Sequence, residues 1–256
     1  MARLLFLGTS AALPTAERTN TLLALLPDTQ AAGLLIDTGG DVYQALCRAN
    51  LAPEGVSDLL ITHAHIDHIG SLPSLIESFR LGGRHSTLRI WGLPEVIAVV
   101  RGLLDLFSYE LTLDHWPFRI ELTAVNSGQE LTLAGIPTRV LAMDHALPSV
   151  GVRFELPAGA VAYTCDTQPA PAVRELANGA RMLITECTFL RGSEADARMS
   201  KHTTAFEAGQ EAAACGVEML ALVHIGGWPI EAARTQIAES FSGTVLFPND
   251  GDSMPV

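Results

Sequence analysis

The chain has 256 residues, of which 48% are hydrophobic and 17% are charged, and its formal net charge is −12. This composition excludes a disordered chain and predicts a sizeable core, so we expect one domain spanning residues 1–256. The 16 basic residues form no cluster along the chain, which argues against binding of a long nucleic acid but not of a small anion.

The first residues imitate a secretory signal only superficially. The apolar run from Leu4 to Leu7 is too short for one, and no other segment approaches the roughly 20 apolar residues of a membrane helix. The four cysteines contain no CxxC pair, so neither a disulfide framework nor a thiolate zinc cluster is indicated. We therefore expect a cytoplasmic protein without membrane contact and with buried free thiols at Cys47, Cys165, Cys187 and Cys215.

Short runs rich in Val, Ile and Leu alternate with helix-forming stretches along the chain. Strands are predicted near residues 2–7, 21–26, 33–37, 58–62, 88–91, 119–125, 130–133, 136–142, 150–156, 160–165, 181–185, 218–223 and 244–247. Helices are predicted near residues 41–49, 72–80, 94–107, 170–178, 204–215 and 230–240. This order predicts an α/β fold with two sheets sandwiched between helices.

Three helix boundaries carry their own residue patterns. Ser71 followed by Pro73 predicts the start of one helix, because proline is tolerated in the first turn. Thr204 with Glu207 has the spacing of a capping box, which predicts another start. Gly216 predicts the end of that second helix, since glycine readily adopts the left-handed conformation that follows a helix.

Residues 61–70 read ITHAHIDHIG and concentrate three histidines and one aspartate. Because the predicted strand 58–62 ends here, His63 and His65 can point to one side, while Asp67 and His68 begin the next turn. Neutral imidazoles with a carboxylate suit zinc, and also manganese or iron, better than calcium. The pattern therefore favours a metal site over the alternative of a solvated turn with merely polar residues.

Four other polar residues also stand where an apolar strand is predicted to end, namely Asp37, His145, Asp166 and His224. Judged singly, each is better explained as a satisfied core or loop residue than as a ligand. Strand ends along one sheet edge share a cleft, however, and together with residues 61–70 they make five such coincidences. We therefore expect these side chains to meet in one cleft.

The remaining histidines are harder to place from the sequence. His85 lies in a Gly-rich turn and His115 stands beside Trp116 without a partner in view, so both are left outside the site. His202 just precedes the predicted helix at Thr204, where either a mobile acid or a surface residue could stand.

HAHIDH matches the HxHxDH motif of the metallo-β-lactamase superfamily, and Asp37, His145, Asp166 and His224 follow in the expected order. Within that superfamily the chain resembles ribonuclease Z over nearly its whole length, from LFLGTSAALPTAERTNTLLAL through DHALPSVGVRFE and YTCDTQP to TECTF and KHTT. The resemblance implies an αββα sandwich of two mixed sheets flanked by helices. It also implies a metal-dependent hydrolase and a possible homodimer.

The same resemblance implies a role for each matching residue. His63, His65 and His145 would hold one divalent metal ion and Asp67, His68 and His224 the other, with Asp166 bridging the two ions. Asp37 would orient ligands without binding metal itself. Glu186 and His202 match a proton-donating pair, and Asp67 is counted among the catalytic residues as well as the ligands. We expect two ions, with zinc as the preferred metal and manganese or iron as alternatives.

The chain also departs from ribonuclease Z. The segment from Gly151 to Val161 runs almost directly into Asp166, where tRNA-processing relatives carry a long arm that grips tRNA. HIGGW stands in place of the family's HxSxRY. With the acidic net charge, these departures put tRNA cleavage in doubt but leave the metal chemistry intact.

Two metals about 3.5–4 Å apart can lower the pKa of a shared water to about 7 and clamp the attacked group. The leading hypothesis is therefore a phosphodiesterase that uses a metal-bridging hydroxide on small or short anionic substrates. The alternatives are a ribonuclease Z-type tRNA 3′-processing endonuclease and a non-catalytic ligand-binding protein on the same scaffold. Thioesters, lactones and sulfate esters stay open within the first hypothesis, because the same ligands serve these too.

Overall fold

The computed structural model describes residues 1–27, 33–107 and 117–256, and over these residues the strands form two seven-stranded mixed sheets. The first sheet has the order β14-β1-β2-β3-β4-β5-β6 and the second β13-β12-β11-β10-β9-β8-β7. The strands are β1 Arg3–Gly8, β2 Leu22–Leu26, β3 Gly33–Ile36, β4 Val56–Leu60, β5 Leu88–Gly92, β6 Ile120–Ala124, β7 Glu130–Leu133, β8 Ile136–Met143, β9 Ser149–Phe154, β10 Val161–Tyr163, β11 Met182–Cys187, β12 Met219–Ile225, β13 Thr244–Leu246 and β14 Asp252–Pro255.

The helices lie against the two sheets. They are α1 Val42–Arg48, α2 Ile66–Ile69, α3 Leu72–Leu81, α4 Pro94–Leu106, α5 Pro171–Ala177, α6 Glu194–Ser200, α7 Ala205–Cys215 and α8 Ile230–Ala238, with a short 3-10 helix at Pro53–Gly55. Helices α1, α3 and α4 pack beside the first sheet, and α5, α7 and α8 beside the second. Among the described helices, none combines the length and apolar character needed to cross a membrane.

The larger core joins the two sheets. Leu35 and Leu59 of the first sheet and Val140 and Val152 of the second are all fully buried in one cluster. Burial of such side chains contributes roughly 1.5–3 kcal/mol each, which fixes the two sheets against one another. A second cluster joins the outer face of the second sheet to α5, α7 and α8. The expected αββα sandwich is therefore confirmed.

Strand direction places the carboxyl ends of several strands at one edge of each sheet. Strands β3, β4, β5 and β6 are parallel, as are β10, β11, β12 and β13, while β8 shares their direction because β9 is antiparallel to both β8 and β10. The carboxyl ends of parallel strands meet at one sheet edge. The two edges are tied by the Val150 N–H, which donates to the Thr62 carbonyl at 3.1 Å.

The predicted helix boundaries can be compared directly. The capping box at Thr204 and Glu207 is confirmed, and Gly216 ends α7 with a φ of 66°. Helix α3 begins as predicted with a proline in its first turn, but the Ser71 hydroxyl donates to the Gly39 carbonyl instead of capping the helix. The expectation of four buried thiols is wrong for Cys47, which is exposed because it lies on the outer surface of α1.

Besides the short 3-10 helix at Pro53–Gly55, three elements were not predicted from the sequence. Helix α2 is a single turn, too short to show a helical period. Helix α6 buries only Ala197, so its polar sequence carries no apolar stripe. Strand β14 is a largely exposed edge strand that depends on antiparallel pairing with β1.

Candidate metal centre

The predicted polar residues meet at the carboxyl edges of the two sheets. Asp37 directly follows β3, and residues 63–68 follow β4, so the first sheet supplies four histidine or aspartate side chains beside Asp37. His145 follows β8, Asp166 follows β10, and His224 lies near the end of β12. All of these side chains are buried except that of His65, which is partly exposed. The side chains therefore meet at one place, as expected.

One cluster contains three histidines and one aspartate. The Nδ1 atom of His65 lies 3.0 Å from Nε2 of His63 and 3.1 Å from Nε2 of His145. Oδ2 of Asp166 lies 3.7 Å from the same His63 nitrogen. Possible ligand atoms of all four residues lie within 4.8 Å of one another, which is the spacing that a single ion can bridge.

A second cluster lies on the other side of Asp166. Oδ2 of Asp67 lies 3.5 Å from Nε2 of His68 and 3.3 Å from Nε2 of His224. Oδ2 of Asp166 lies 3.4 Å and 3.2 Å from these same two nitrogens. One oxygen atom of Asp166 therefore faces both clusters.

The unsatisfied atoms of this centre fit a metal. Nε2 of His68 and Oδ1 of Asp166 are buried without a hydrogen-bond partner, and leaving such a group unsatisfied costs about 1–3 kcal/mol. Nδ1 of His65 has imidazole nitrogens of both His63 and His145 at hydrogen-bond distance, and a metal ion could accept the lone pairs of all three rings together. A donor set of imidazole nitrogen and carboxylate oxygen suits zinc and other transition metals. These residues could hold two divalent ions.

Burial sets the protonation of the three histidines in the first cluster. It lowers the pKa of His63 well below its ordinary value, and the positive charge of His68 lowers it further. Burial also lowers the pKa values of His65 and His145. The neutral imidazole is the form that binds metal, so these three side chains are ready to act as ligands near neutral pH.

In the second cluster, nearby charges outweigh burial in setting the pKa values. Burial lowers the pKa of His68, but the carboxylates of Asp166 and Asp37 outweigh this and raise it well above its ordinary value. Burial raises the pKa of Asp166, but the charges of His224 and His68 hold it well below the usual range. The buried carboxylate of Asp166 is thus stabilised by a positive charge beside it. A proton and a metal ion would compete for Nε2 of His68.

Asp37 orients the His68 ring by contacting its Nδ1 atom. Its Oδ2 lies 2.7 Å from Nδ1 of His68, and it also accepts hydrogen bonds from the N–H and hydroxyl of Thr62 at 2.8–2.9 Å. The backbone of Asp37 has a φ of 67°, a left-handed conformation that few non-glycine residues adopt. A carboxylate at Nδ1 keeps the proton there and leaves Nε2 facing Asp67 and Asp166.

Each of three other histidines also has a partner at its outer nitrogen. These pairs are His63 with the Thr62 hydroxyl at 3.2 Å, His145 with the Lys201 carbonyl at 3.1 Å and His224 with the Thr188 hydroxyl at 2.8 Å. Such contacts fix the ring orientation and tautomer of a ligand. The roles of Thr62, Thr188 and Lys201 were missed from the sequence, although Thr188 directly follows β11 and lies two residues after Glu186.

Glu186 and His202 lie beside the centre. Nδ1 of His202 is 2.8 Å from Oε1 of Glu186. The Glu186 carboxylate is held by two backbone groups, because its Oε1 accepts from the Thr167 N–H and its Oε2 from the Thr203 N–H. Burial lowers the pKa of His202, but the charge and hydrogen bond of Glu186 raise it to about 9. A ring nitrogen of His202 lies within 4.8 Å of possible ligand atoms of Asp166 and His224.

The structure thus brings together every residue predicted for the site. Residues 66–69, within the motif, form the single helical turn α2, which contains both Asp67 and His68. His85 is exposed on a loop, in agreement with its exclusion, and His115 lies outside the described residues.

Comparison with known proteins identifies the family. The family model for the "Beta-lactamase superfamily domain" matches residues 33–225. Ribonuclease Z of Methanothermobacter thermautotrophicus is 29% identical to this chain, and the alignment covers 88% of this chain and 87% of that protein.

Solved structures share the fold at lower sequence identity. The metallo-beta-lactamase fold protein YhfI of Bacillus subtilis has a TM-score of 0.85 at 23% identity, covering 99% of this chain and 98% of that one. The short form of human tRNase Z has a TM-score of 0.76 at 19% identity, with the same two coverages. The family model and the buried His/Asp centre together show that the chain belongs to the metallo-β-lactamase superfamily, as a metal-dependent hydrolase similar to ribonuclease Z.

Proposed function

We propose that this chain hydrolyses phosphodiester bonds with two divalent metal ions, of which zinc is the preferred candidate. RNA cleavage of the ribonuclease Z type is the first activity to test. The position of Asp166 carries the proposal. Its Oδ2 lies 3.7 Å or less from a ring nitrogen of each cluster, as a carboxylate shared by two ions requires. Two-metal sites of this kind serve phosphoryl transfer in many unrelated enzymes.

The proposed ligand sets follow the two clusters. One ion is assigned to His63, His65 and His145, and the other to Asp67, His68 and His224, with Asp166 between them. When bound, the ions would supply an activated water near neutral pH and neutralise charge on the attacked group. The chain's own contribution is to hold these side chains rigidly in the buried cleft.

His202 is the proposed proton donor. Oε1 of Glu186 lies 2.8 Å from its Nδ1 atom, and the raised pKa of about 9 keeps the imidazole protonated near neutral pH. Its side chain remains 14% exposed, unlike the fully buried His63 and His68, so it is accessible to a leaving group in the cleft. General acid assistance of this kind typically contributes about 10²–10⁴-fold.

Two substrate classes, RNA and small phosphodiesters, suit the proposed centre. The curated relatives are named ribonuclease Z, which favours RNA and runs against the expectation from charge that no long nucleic acid binds. A small phosphodiester is the second candidate, and the short connection between β9 and β10, residues 155–160, favours it. The relative's alignment extends over 275 residues while covering 88% of this 256-residue chain, so the relative carries insertions that this chain lacks.

A paired assay tests the proposal and separates the two classes. Zinc-loaded protein is given a tRNA precursor with a 3′ extension and, separately, bis(p-nitrophenyl) phosphate. Site-specific cleavage of the precursor supports the RNA class, and hydrolysis of the small diester alone supports the second. His68→Ala, purified in parallel, is the control for contaminating nucleases. If zinc-loaded protein cleaves neither substrate above this control, the proposal is wrong.

A further inference from the structure

The carboxylate of Asp144 joins three loops around the metal centre. Its Oδ1 accepts a hydrogen bond from Nζ of Lys201 at 2.8 Å, and its Oδ2 accepts one from Nε2 of Gln168 at 2.6 Å. Asp144 directly precedes His145, Gln168 lies two residues after Asp166, and Lys201 directly precedes His202. One side chain therefore connects the segments that carry two proposed ligands and the proposed proton donor.

Backbone contacts reinforce the same junction. The carbonyl of Asp144 accepts a hydrogen bond from the Gln168 N–H at 3.1 Å, and the Thr167 hydroxyl oxygen lies 3.4 Å from it. The carbonyl of Lys201 in turn accepts from Nδ1 of His145 at 3.1 Å. Movement of Lys201 would therefore displace a contact to His145 as well as the neighbouring His202.

Lys201 itself has an unusual conformation. It ends α6 with φ 56° and ψ 51°, the left-handed region that favours glycine, and it is the only lysine of the chain. A non-glycine residue is retained in such a conformation when its surroundings hold it there. Here the backbone bonds that end α6, from Lys201 N–H to the Arg198 carbonyl and from His202 N–H to the Ala197 carbonyl, accompany that conformation. The side-chain bond to Asp144 and the bond from His145 then hold Lys201 against the metal centre.

Folding stability does not account for this ion pair. The side chains of Lys201 and Asp144 are 42% and 43% exposed, and pairs this exposed contribute little to stability. Arg191, ten residues before Lys201, forms a similarly exposed ion pair with Glu239 at 2.9 Å. The Asp144–Lys201 pair differs from that second pair in lying beside the metal centre.

We propose that Asp144 and Lys201 are positioning residues, which hold the loops of His145, Asp166 and His202 in register for metal binding and proton transfer. The inference rests on the proposed two-metal function. Loss of contacts that orient metal ligands typically costs about 10- to 100-fold in metal affinity or activity, and we expect losses within that range.

The test compares Lys201→Gly, Lys201→Arg and Asp144→Asn with Glu239→Gln, which breaks the second ion pair. Zinc affinity of the metal-free protein, kcat and KM on bis(p-nitrophenyl) phosphate and on a dinucleoside phosphate, whose leaving group is an alkoxide, and melting temperature are measured. Glycine suits the left-handed conformation, so Lys201→Gly should melt at or above the wild-type temperature. It should nevertheless bind zinc more weakly, and its kcat should fall by a larger factor than its KM rises.

The two other variants and the control complete the pattern. Lys201→Arg should recover most of both losses because it restores a cation to Asp144, and Asp144→Asn should resemble Lys201→Gly. Glu239→Gln should match wild type in zinc affinity and kcat. Wild-type zinc affinity and kcat in Lys201→Gly, or equal losses in Glu239→Gln, would overturn the inference. Weakened zinc binding in a protein that hydrolyses neither diester would instead refute only the proposed function.

Discussion

Replacement of Asp37 by asparagine should weaken metal binding without touching a metal ligand. Asp37 is fully buried and accepts hydrogen bonds from Thr62 and from Nδ1 of His68 at 2.7 Å. An amide offers one acceptor where the carboxylate offers two. If its oxygen stays on the Thr62 N–H, its NH₂ group faces the His68 Nδ1 proton. The imidazole then moves its proton to Nε2, the nitrogen that faces Asp67 and Asp166.

The expected magnitude follows from that single contact. A hydrogen bond to a charged group contributes about 1.5–3 kcal/mol, and each 1.4 kcal/mol is a factor of ten in affinity. Asp37→Asn should therefore reduce zinc affinity by about 10- to 100-fold, which agrees with typical losses when a partner of a ligating histidine is removed. The weakened site should be the one assigned to His68.

Competition titration of metal-free protein against a chromophoric chelator measures this change. Asp58→Asn is the matched control, because Asp58 is also fully buried and binds Arg89 and Trp91 far from any proposed ligand. It should lower the melting temperature and leave zinc affinity unchanged. The reasoning is refuted if Asp37→Asn binds zinc as wild type does, or if Asp58→Asn loses as much affinity.

Three further predictions follow from the same contacts. Purified protein should contain close to two transition-metal ions per chain by elemental analysis, and His68→Ala should bind fewer, whereas a full complement in that variant would show that His68 is no ligand. His202→Ala should retain metal yet lose kcat by about 10²–10⁴-fold on an alkoxide leaving group, with a small loss on nitrophenolate, and Glu186→Gln should show a weaker form of the same pattern. Equal losses on both leaving groups would contradict a role as acid. Burial raises the pKa of Asp58, but hydrogen bonds from Arg89 and its neighbours hold it below the ordinary value. Its stabilising contribution is therefore present above the unfolded pKa of about 3.9 and lost as pH falls through the folded pKa, so the melting-temperature gap between wild type and Asp58→Asn should be present at pH 7 and vanish in acid.

The ligand positions could be predicted because they depend on strand direction and short-range spacing. His63, His65, Asp67 and His68 follow one strand within six positions, and polar residues at the ends of parallel strands necessarily approach one another. The αββα sandwich follows from the same alternation of strands and helices, with the resemblance adding its topology.

Contacts between distant loops could not be predicted in this way. The links from Asp144 to Gln168 and Lys201 join residues 24 and 57 positions apart, and no local pattern marks them. Helix α6 was missed because its polar sequence buries only Ala197. The substrate is undetermined by the ligand set for a related reason, since the same two-metal geometry supports several hydrolytic reactions.

Zinc titration of the metal-free protein, with hydrolysis of bis(p-nitrophenyl) phosphate as the readout, tests the central claim most directly. If Asp166 is shared by two ions that act together, activity should keep rising between the first and second equivalents of zinc per chain and then stop rising. Full activity at one equivalent, or activity that does not depend on zinc, would contradict the two-metal account.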